Sequence, residues 1–216
     1  MRRLQVALDL IELDRALRVA SRVVEKCGTE HLMLEAGTPL IKASGMKSVR
    51  ALAENFRGVP VVADMKTADA GSIEAALAFS NGASYTTVLA LASDETIMAV
   101  VEKAREMGGK VIGDLMCVKD PVSRALRLDE LEVDVVAYHV PVDVQKARGV
   151  SVVSVADTVE RLASMLNAEV AIAGGVTPLT AETYLEAGAT IIIVGRYIYG
   201  APDPGEAAQK LVEILD

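Results

Sequence analysis

A residue able to do chemistry closes nearly every short apolar run of this sequence. Asp9 ends the first run, Glu35 the second and Asp64 the third; Asp114, His139, Gly174–Gly175 and Gly195–Arg196 end the fifth to eighth. Turns and caps recruit Asp and Gly routinely, so one such ending carries little weight. Seven in register indicate a shared catalytic face. Glu35 and Asp64, on adjacent runs, suit a hard cation such as Mg²⁺, which takes few protein ligands and completes its shell with water and substrate oxygens. The competing reading is that they merely neutralise Lys66 and Lys42. Lys66 lies between Asp64 and Asp69, and opposite charge favours its protonated form. That makes it an electrostatic stabiliser or acid rather than a Schiff-base nucleophile. If the strand continues through Asp64 to Lys66, both side chains point to the same side. His139, one of two histidines, is placed for acid–base work near neutral pH, whereas His31 opens a run and reads as structural. The AIAGG and IIIVGR segments free backbone N–H groups for an anion nest, and with Arg196 they read as a phosphate grip. Tight turns plus a surface arginine are the alternative.

The elements that must position these residues follow from periodicity. Short β-branched runs alternate with helical stretches. The strand-like runs are Leu4–Leu8, His31–Leu34, Val59–Ala63, Tyr85–Leu89, Lys110–Gly113, Asp134–Tyr138, Glu169–Ala173 and Thr190–Val194. Helical stretches are Asp14–Glu25, Met46–Asn55, Ser72–Ser80, Asp94–Met107, Thr158–Leu166 and Thr180–Glu186, several with Gly just past the end, as left-handed C-terminal caps require. Val150–Val155 is read as an extended connection rather than a ninth strand. Eight βα units in 216 residues predict a single-domain (β/α)8 TIM barrel over residues 1–216, with an open doubly wound sheet as the alternative. In the barrel all strand ends meet at one mouth, where phosphate is commonly held after strands seven and eight.

Composition narrows the function classes. Hydrophobic residues make up 51% and aromatics 3%, without Trp, so one core built from Ala, Val, Ile, Leu and Met is within reach and disorder is excluded. The net charge of −8, with no Lys/Arg block, argues against a nucleic-acid partner. Cys27 and Cys117 have no CxxC spacing and suggest neither zinc nor a disulfide framework; they read as buried apolar filler in a reduced, cytoplasmic setting. The opening MRRLQVALDL meets Asp9 and Glu12 too soon for a signal peptide or membrane span.

With these residues placed, the chain resembles the orotidine 5′-monophosphate decarboxylase suprafamily, whose barrels carry a D-x-K-x-x-D motif, here Asp64, Lys66 and Asp69. LQVALD, LEAGTPLIKASGM, VADMKTADAG, HVPVDVQ, AIAGGV and GAPDP are most similar to its 3-hexulose-6-phosphate synthase branch and span almost the whole chain. The resemblance implies a carbon–carbon lyase: a reversible aldol addition of formaldehyde to ribulose 5-phosphate, giving arabino-hex-3-ulose 6-phosphate through an enediolate. It implies Mg²⁺ on Glu35 and Asp64, His139 as base, Lys66 as a second positive charge, Asp9 positioning Lys66, and Asp114 orienting substrate hydroxyls. Gly174, Gly175, Gly195 and Arg196 would hold the phosphate. A homodimer in which Asp69 reaches the partner's site is implied by resemblance alone.

Departures from the pattern rank the alternatives. Orotidylate decarboxylases usually carry lysine where Glu35 stands, which disfavours that activity. 3-Keto-L-gulonate 6-phosphate decarboxylases share Asp9, Glu35, the D-x-K-x-x-D motif and His139 but carry arginine three residues after the histidine, where this chain has Val142. The synthase pattern H-x-G-x-D-x-Q is met at His139, Asp143 and Gln145, with Pro141 in the glycine position. A ribulose-phosphate epimerase would need more histidine around its metal. A non-catalytic phosphosugar-binding barrel would need only the phosphate grip, not Asp64, Lys66 and His139.

Overall fold

The computed structural model describes residues 1–149 and 151–215. Its strands are β1 (Arg3–Leu8), β2 (Leu32–Ala36), β3 (Val61–Thr67), β4 (Tyr85–Leu89), β5 (Lys110–Asp114), β6 (Val135–His139), β7 (Glu169–Ala173) and β8 (Ile191–Val194). All pairings are parallel, and the sheet closes in chain order with β8 back on β1. Around it lie α1 (Leu13–Cys27), α2 (Thr38–Ser44), α3 (Lys47–Asn55), α4 (Gly71–Ser80), α5 (Asp94–Met107), α6 (Pro121–Glu130), α7 (Val142–Arg148), α8 (Val152–Met165), α9 (Pro178–Glu186), α10 (Arg196–Tyr199) and α11 (Pro204–Val212). The (β/α)8 barrel expected from the sequence is the observed fold, and the open sheet is excluded by closure. Among the described residues no helix is long and apolar enough to cross a membrane.

The two-residue period of a strand decides what faces the barrel axis. On β2, Leu32, Leu34 and Ala36 join the layer between strands and helices, while Met33 belongs to a separate interior cluster with Val62, Tyr85, Ile112, Val135, Ala137, Ala171 and Ile191. Glu35 shares the inward parity of Met33. The same rule turns Asp64 inward after Val62, Asp114 after Ile112, and His139 after Val135 and Ala137. The interior thus has an apolar layer beneath ionisable groups at the C-terminal mouth, with the Arg3–Glu169 ion pair against Tyr85 at the opposite end. Each fully buried Val, Leu or Ile contributes about 1.5–3 kcal/mol, and that apolar base holds the charged upper layer in place.

Several elements differ from the sequence reading. Val152–Val155 is helical, not an extended connection, and α8 begins six residues before Thr158; Val150 lies outside the described residues. Ser151 Oγ accepts from the Ser154 N–H at 3.2 Å, and Val155, Val159 and Leu162 are buried at helical spacing, so capping and packing override the β-propensity of VSVVSV. The strands β2, β5 and β6 run on through Glu35, Asp114 and His139, so these groups sit within regular backbone. At Lys66 the backbone is not extended: φ is +47°, and the β3–β4 register shifts between Ala63 and Thr67. Cys117 is exposed in the turn after β5, at φ +64°, and is not core filler; Cys27 is half-buried against the core, and both thiols are free. His31 precedes β2, its Nδ1 3.1 Å from the Arg2 carbonyl oxygen, in keeping with a structural role.

Candidate active site

Two connected depressions occupy the C-terminal mouth. The deeper, of about 30 Å³, is lined by residues including Gln5, Glu35, Asp64, Lys66, Asp114 and His139. The shallower, of about 440 Å³, is lined by residues including His139, Val142, Gln145, Gly174, Gly175 and Arg196. Its volume suits a small ligand. His139 and Ile193 border both, so the imidazole stands where a ligand held in the wide pocket would meet the acids. A broader surface groove of about 640 Å³ lies beside α5 and α6. Its arginines are engaged by Asp94, from Arg124 at 2.6 Å and Arg127 at 2.7 Å.

The acid end is organised around Asp64. Lys66 Nζ donates to both of its oxygens at 2.7 and 2.8 Å. Thr87 Oγ1 donates to Oδ1 at 2.9 Å, and the Thr38 N–H and hydroxyl donate to Oδ2 at 3.2 and 2.6 Å. The β3 bulge at Lys66 makes the ion pair possible: Lys66 N–H turns to Thr87 Oγ1 at 2.8 Å while its side chain folds back over Asp64. A left-handed lysine is strained backbone retained where the surroundings fix it, as at functional sites. Burial works against the ammonium, yet Asp64, Asp114 and Glu35 together raise the pKa of Lys66. It is therefore protonated.

Glu35 is raised well above the usual glutamate range by burial, then by the charges of Asp64 and Asp9. Asp9 is open at the mouth, yet the protein crowding its carboxyl, and then Asp64, raise its pKa as well. It sits against Gly37 and Gly195, where added Cβ atoms would fall 2.2 Å from Oδ1 and 3.3 Å from Oδ2. No hydrogen bond joins it to Lys66 among the described residues; their link is through charge. Asp114 spends its oxygens within the chain: Oδ2 is 3.0 Å from His139 Nδ1 and 3.4 Å from Lys66 Nζ, and Oδ1 accepts from the Met116 N–H at 2.9 Å. Burial pushes its pKa up, but the hydrogen bond and charge of His139, with Lys66 and the Met116 amide, bring it below the ordinary value. A carboxylate at Nδ1 favours the Nδ1–H tautomer and leaves Nε2 as the basic atom.

At the wide pocket Gly174 and Gly175 have φ of +101° and +74°. A Cβ on Gly174 would lie 2.2 Å from the Val140 carbonyl oxygen, so only glycine makes this turn. Gln145 braces it, its Nε2 donating to that carbonyl at 2.7 Å. Arg196 is exposed at the start of α10 beside Gly195 and lines the same pocket. Asp69 lies exposed beyond β3 and lines neither depression; Lys42 is exposed on α2. The sequence reading missed Gln5, Thr38 and Thr87. Gln5 and Thr87 were discernible as polar residues at the inward parity of β1 and β4, but Thr38 gave no such signal.

Residues 2–211 match the orotidine 5'-phosphate decarboxylase / HUMPS family. The chain belongs to that family. It is 36% identical over 213 residues to the 3-hexulose-6-phosphate synthase 2 of Staphylococcus saprophyticus subsp. saprophyticus, covering 99% of this chain and 97% of that one. A crystal structure of 3-hexulose-6-phosphate synthase superposes with a TM-score of 0.92 at 36% identity, covering 100% of both chains. The 3-keto-L-gulonate-6-phosphate decarboxylase of Vibrio cholerae superposes with a TM-score of 0.87 at 30% identity, covering 100% of this chain and 98% of that one. The relatives matched at 35–36% identity are 3-hexulose-6-phosphate synthases, and this chain is an enzyme of the carbon–carbon lyase type.

Proposed function

We propose that this protein is a Mg²⁺-dependent aldolase that joins formaldehyde to ribulose 5-phosphate, reversibly giving arabino-hex-3-ulose 6-phosphate. The observation that carries this reading is His139 at the junction of the acid cavity and the glycine pocket. A sugar phosphate gripped by Gly174, Gly175, Gly195 and Arg196 would lay its carbonyl end beside the imidazole. His139 Nε2 takes the C1 proton, leaving an enediolate. The Lys66 ammonium opposes the charge on its oxygens, a preorganised stabilisation of developing charge. C1 then forms the bond to the formaldehyde carbon, and the new alkoxide takes back a proton from His139. Asp114 serves in this scheme to hold His139 and Lys66 rather than to meet substrate hydroxyls. Asp9 biases Lys66 through its charge.

The donor set fits a hard cation. Glu35 and Asp64 offer oxygens only, Glu35 is a buried acid whose ionised form needs a counter-charge, and the buried Gln5 Oε1 beside them has no partner among the described residues. Among the described residues no group of three or more His, Cys, Asp or Glu is arranged to hold a metal, so an ion on Glu35 and Asp64 would have to draw the rest of its shell from water and substrate. Held by Glu35 and Asp64, Mg²⁺ would supply Lewis-acid charge to the substrate oxygens. The same reading has a homodimer, with Asp69 of each chain serving the other's site, in a reducing cytoplasm that suits the free thiols.

The decarboxylase reading has support in the Vibrio cholerae likeness, but at the position where the family resemblance leads one to expect arginine for that activity, the apolar Val142 lines the pocket. The test is a paired assay with Mg²⁺, one arm holding formaldehyde and ribulose 5-phosphate, the other 3-keto-L-gulonate 6-phosphate. Faster formaldehyde consumption is expected; faster decarboxylation overturns the assignment. Tight ribulose 5-phosphate binding with turnover in neither arm would leave a phosphosugar-binding barrel.

A further inference from the structure

Gln5 is a buried amide that the reaction scheme does not use. It is 1% exposed on β1 and lines the same 30 Å³ cavity as Glu35 and Asp64. Its Nε2 donates to Glu35 Oε2 at 2.6 Å, the one hydrogen bond that Glu35's side chain makes among the described residues. Its own Oε1 is buried without a partner among them. Leaving a buried acceptor unmade costs about 1–3 kcal/mol, so an amide here, where leucine or methionine would pack, calls for a use. Thr67 Oγ1 is also buried and unpartnered, but Thr67 lines neither depression of the mouth. The cavity exceeds the about 10–15 Å³ that one water needs, and Gln5, Glu35, Asp64 and Asp114 are among the residues that line it.

We propose that Gln5 is a positioning residue for the cation-binding carboxylate of Glu35: its N–H pins Oε2 and leaves Oε1 of Glu35 to bind, while its own oxygen anchors a solvent molecule in the cavity. The inference rests on the Mg²⁺ reading above. A neutral amide suits the place because it donates on one side and accepts on the other without adding charge to a cavity that already holds three acids and a lysine. Glutamate at position 5 would add a fourth acid, and an aliphatic side chain would supply neither bond. Partners of this kind, one step behind a ligand, typically govern metal affinity by 10–100-fold.

Mn²⁺ alone is the probe, its binding followed by electron paramagnetic resonance on the intact protein without substrate. Gln5→Met keeps the side-chain length and removes both hydrogen-bonding groups; it is expected to weaken Mn²⁺ binding about tenfold or more, with the melting temperature changed little. Glu35→Gln is expected to lose binding. Wild-type affinity in Gln5→Met overturns the role of Gln5 and, with binding lost in Glu35→Gln, leaves the cation site standing. No binding by the wild type, or unchanged binding in Glu35→Gln, overturns the cation site and the role of Gln5 with it. Should Gln5→Met fail to fold, Gln5→Asn, which withdraws the amide by one methylene, is expected to show the same loss.

Discussion

Asp114→Asn is expected to cripple proton transfer while the barrel stays folded. The carboxylate is 4% exposed at the end of β5 and is nearly isosteric with an amide. Its oxygens receive His139 Nδ1 at 3.0 Å and the Met116 N–H at 2.9 Å. If the amide oxygen of Asn keeps the Met116 bond, its NH₂ faces Nδ1, forces the proton onto Nε2 and removes the base. If the amide turns the other way, a neutral oxygen faces Nδ1 and two N–H groups collide at Met116. Either way the imidazolium formed on proton abstraction loses its counter-charge. General-base catalysis contributes about 10²–10⁴-fold, so exchange of the C1 proton of ribulose 5-phosphate with solvent deuterium should slow about 10³-fold, or about 4 kcal/mol of barrier. Stability gives a second readout. Because its folded pKa is depressed, Asp114 stabilises the fold above its unfolded pKa of about 3.9, and that contribution is lost as pH falls through the folded value. The wild type should therefore lose stability below about pH 4 that the variant does not lose. Exchange within threefold of wild type, or superimposable acid melting profiles, would refute this reasoning.

Glu35→Gln removes a buried acid whose raised pKa makes its ionised form a cost to folding at neutral pH; in divalent-free buffer it should melt about 2–6 °C higher by calorimetry, and a lower melting point would contradict that cost. Gly174→Ala places a Cβ 2.2 Å from the Val140 carbonyl at φ +101°; we expect about 1–3 kcal/mol of destabilisation and a clear rise in KM for ribulose 5-phosphate, whereas an unchanged KM would move the phosphate elsewhere. Chelation with EDTA should abolish turnover and Mg²⁺ restore it, and full activity after exhaustive chelation would end the metal role.

The sequence made the rim legible because two regularities reinforce each other. Eight βα units imply closure, and a two-residue period fixes which face each strand-end residue takes, so Glu35, Asp64, Asp114 and His139 could be placed before any distance was known. The partners holding them were harder to see. Thr38 belongs to a short helix that periodicity did not announce, and its bonds to Asp64 span 26 residues. The Lys66 side chain meets Asp64 through a bulge rather than through the alternation of an extended strand. The contact between Asp114 and His139 spans 25 residues and exists only through the pairing of β5 with β6, so periodicity alone does not reveal it. VSVVSV misled because β-propensity is local, whereas burial of Val155, Val159 and Leu162 is set by the sheet beneath them.

The proposed reaction turns on one chemical event at one atom: His139 Nε2 removing the C1 proton of a sugar phosphate. With Mg²⁺ and ribulose 5-phosphate in deuterated water, and no formaldehyde, proton NMR should show the C1 signal fading in the presence of the wild type and persisting with His139→Ala, which still binds the phosphate. Undiminished exchange in His139→Ala, or none in a wild type that consumes formaldehyde, would contradict it.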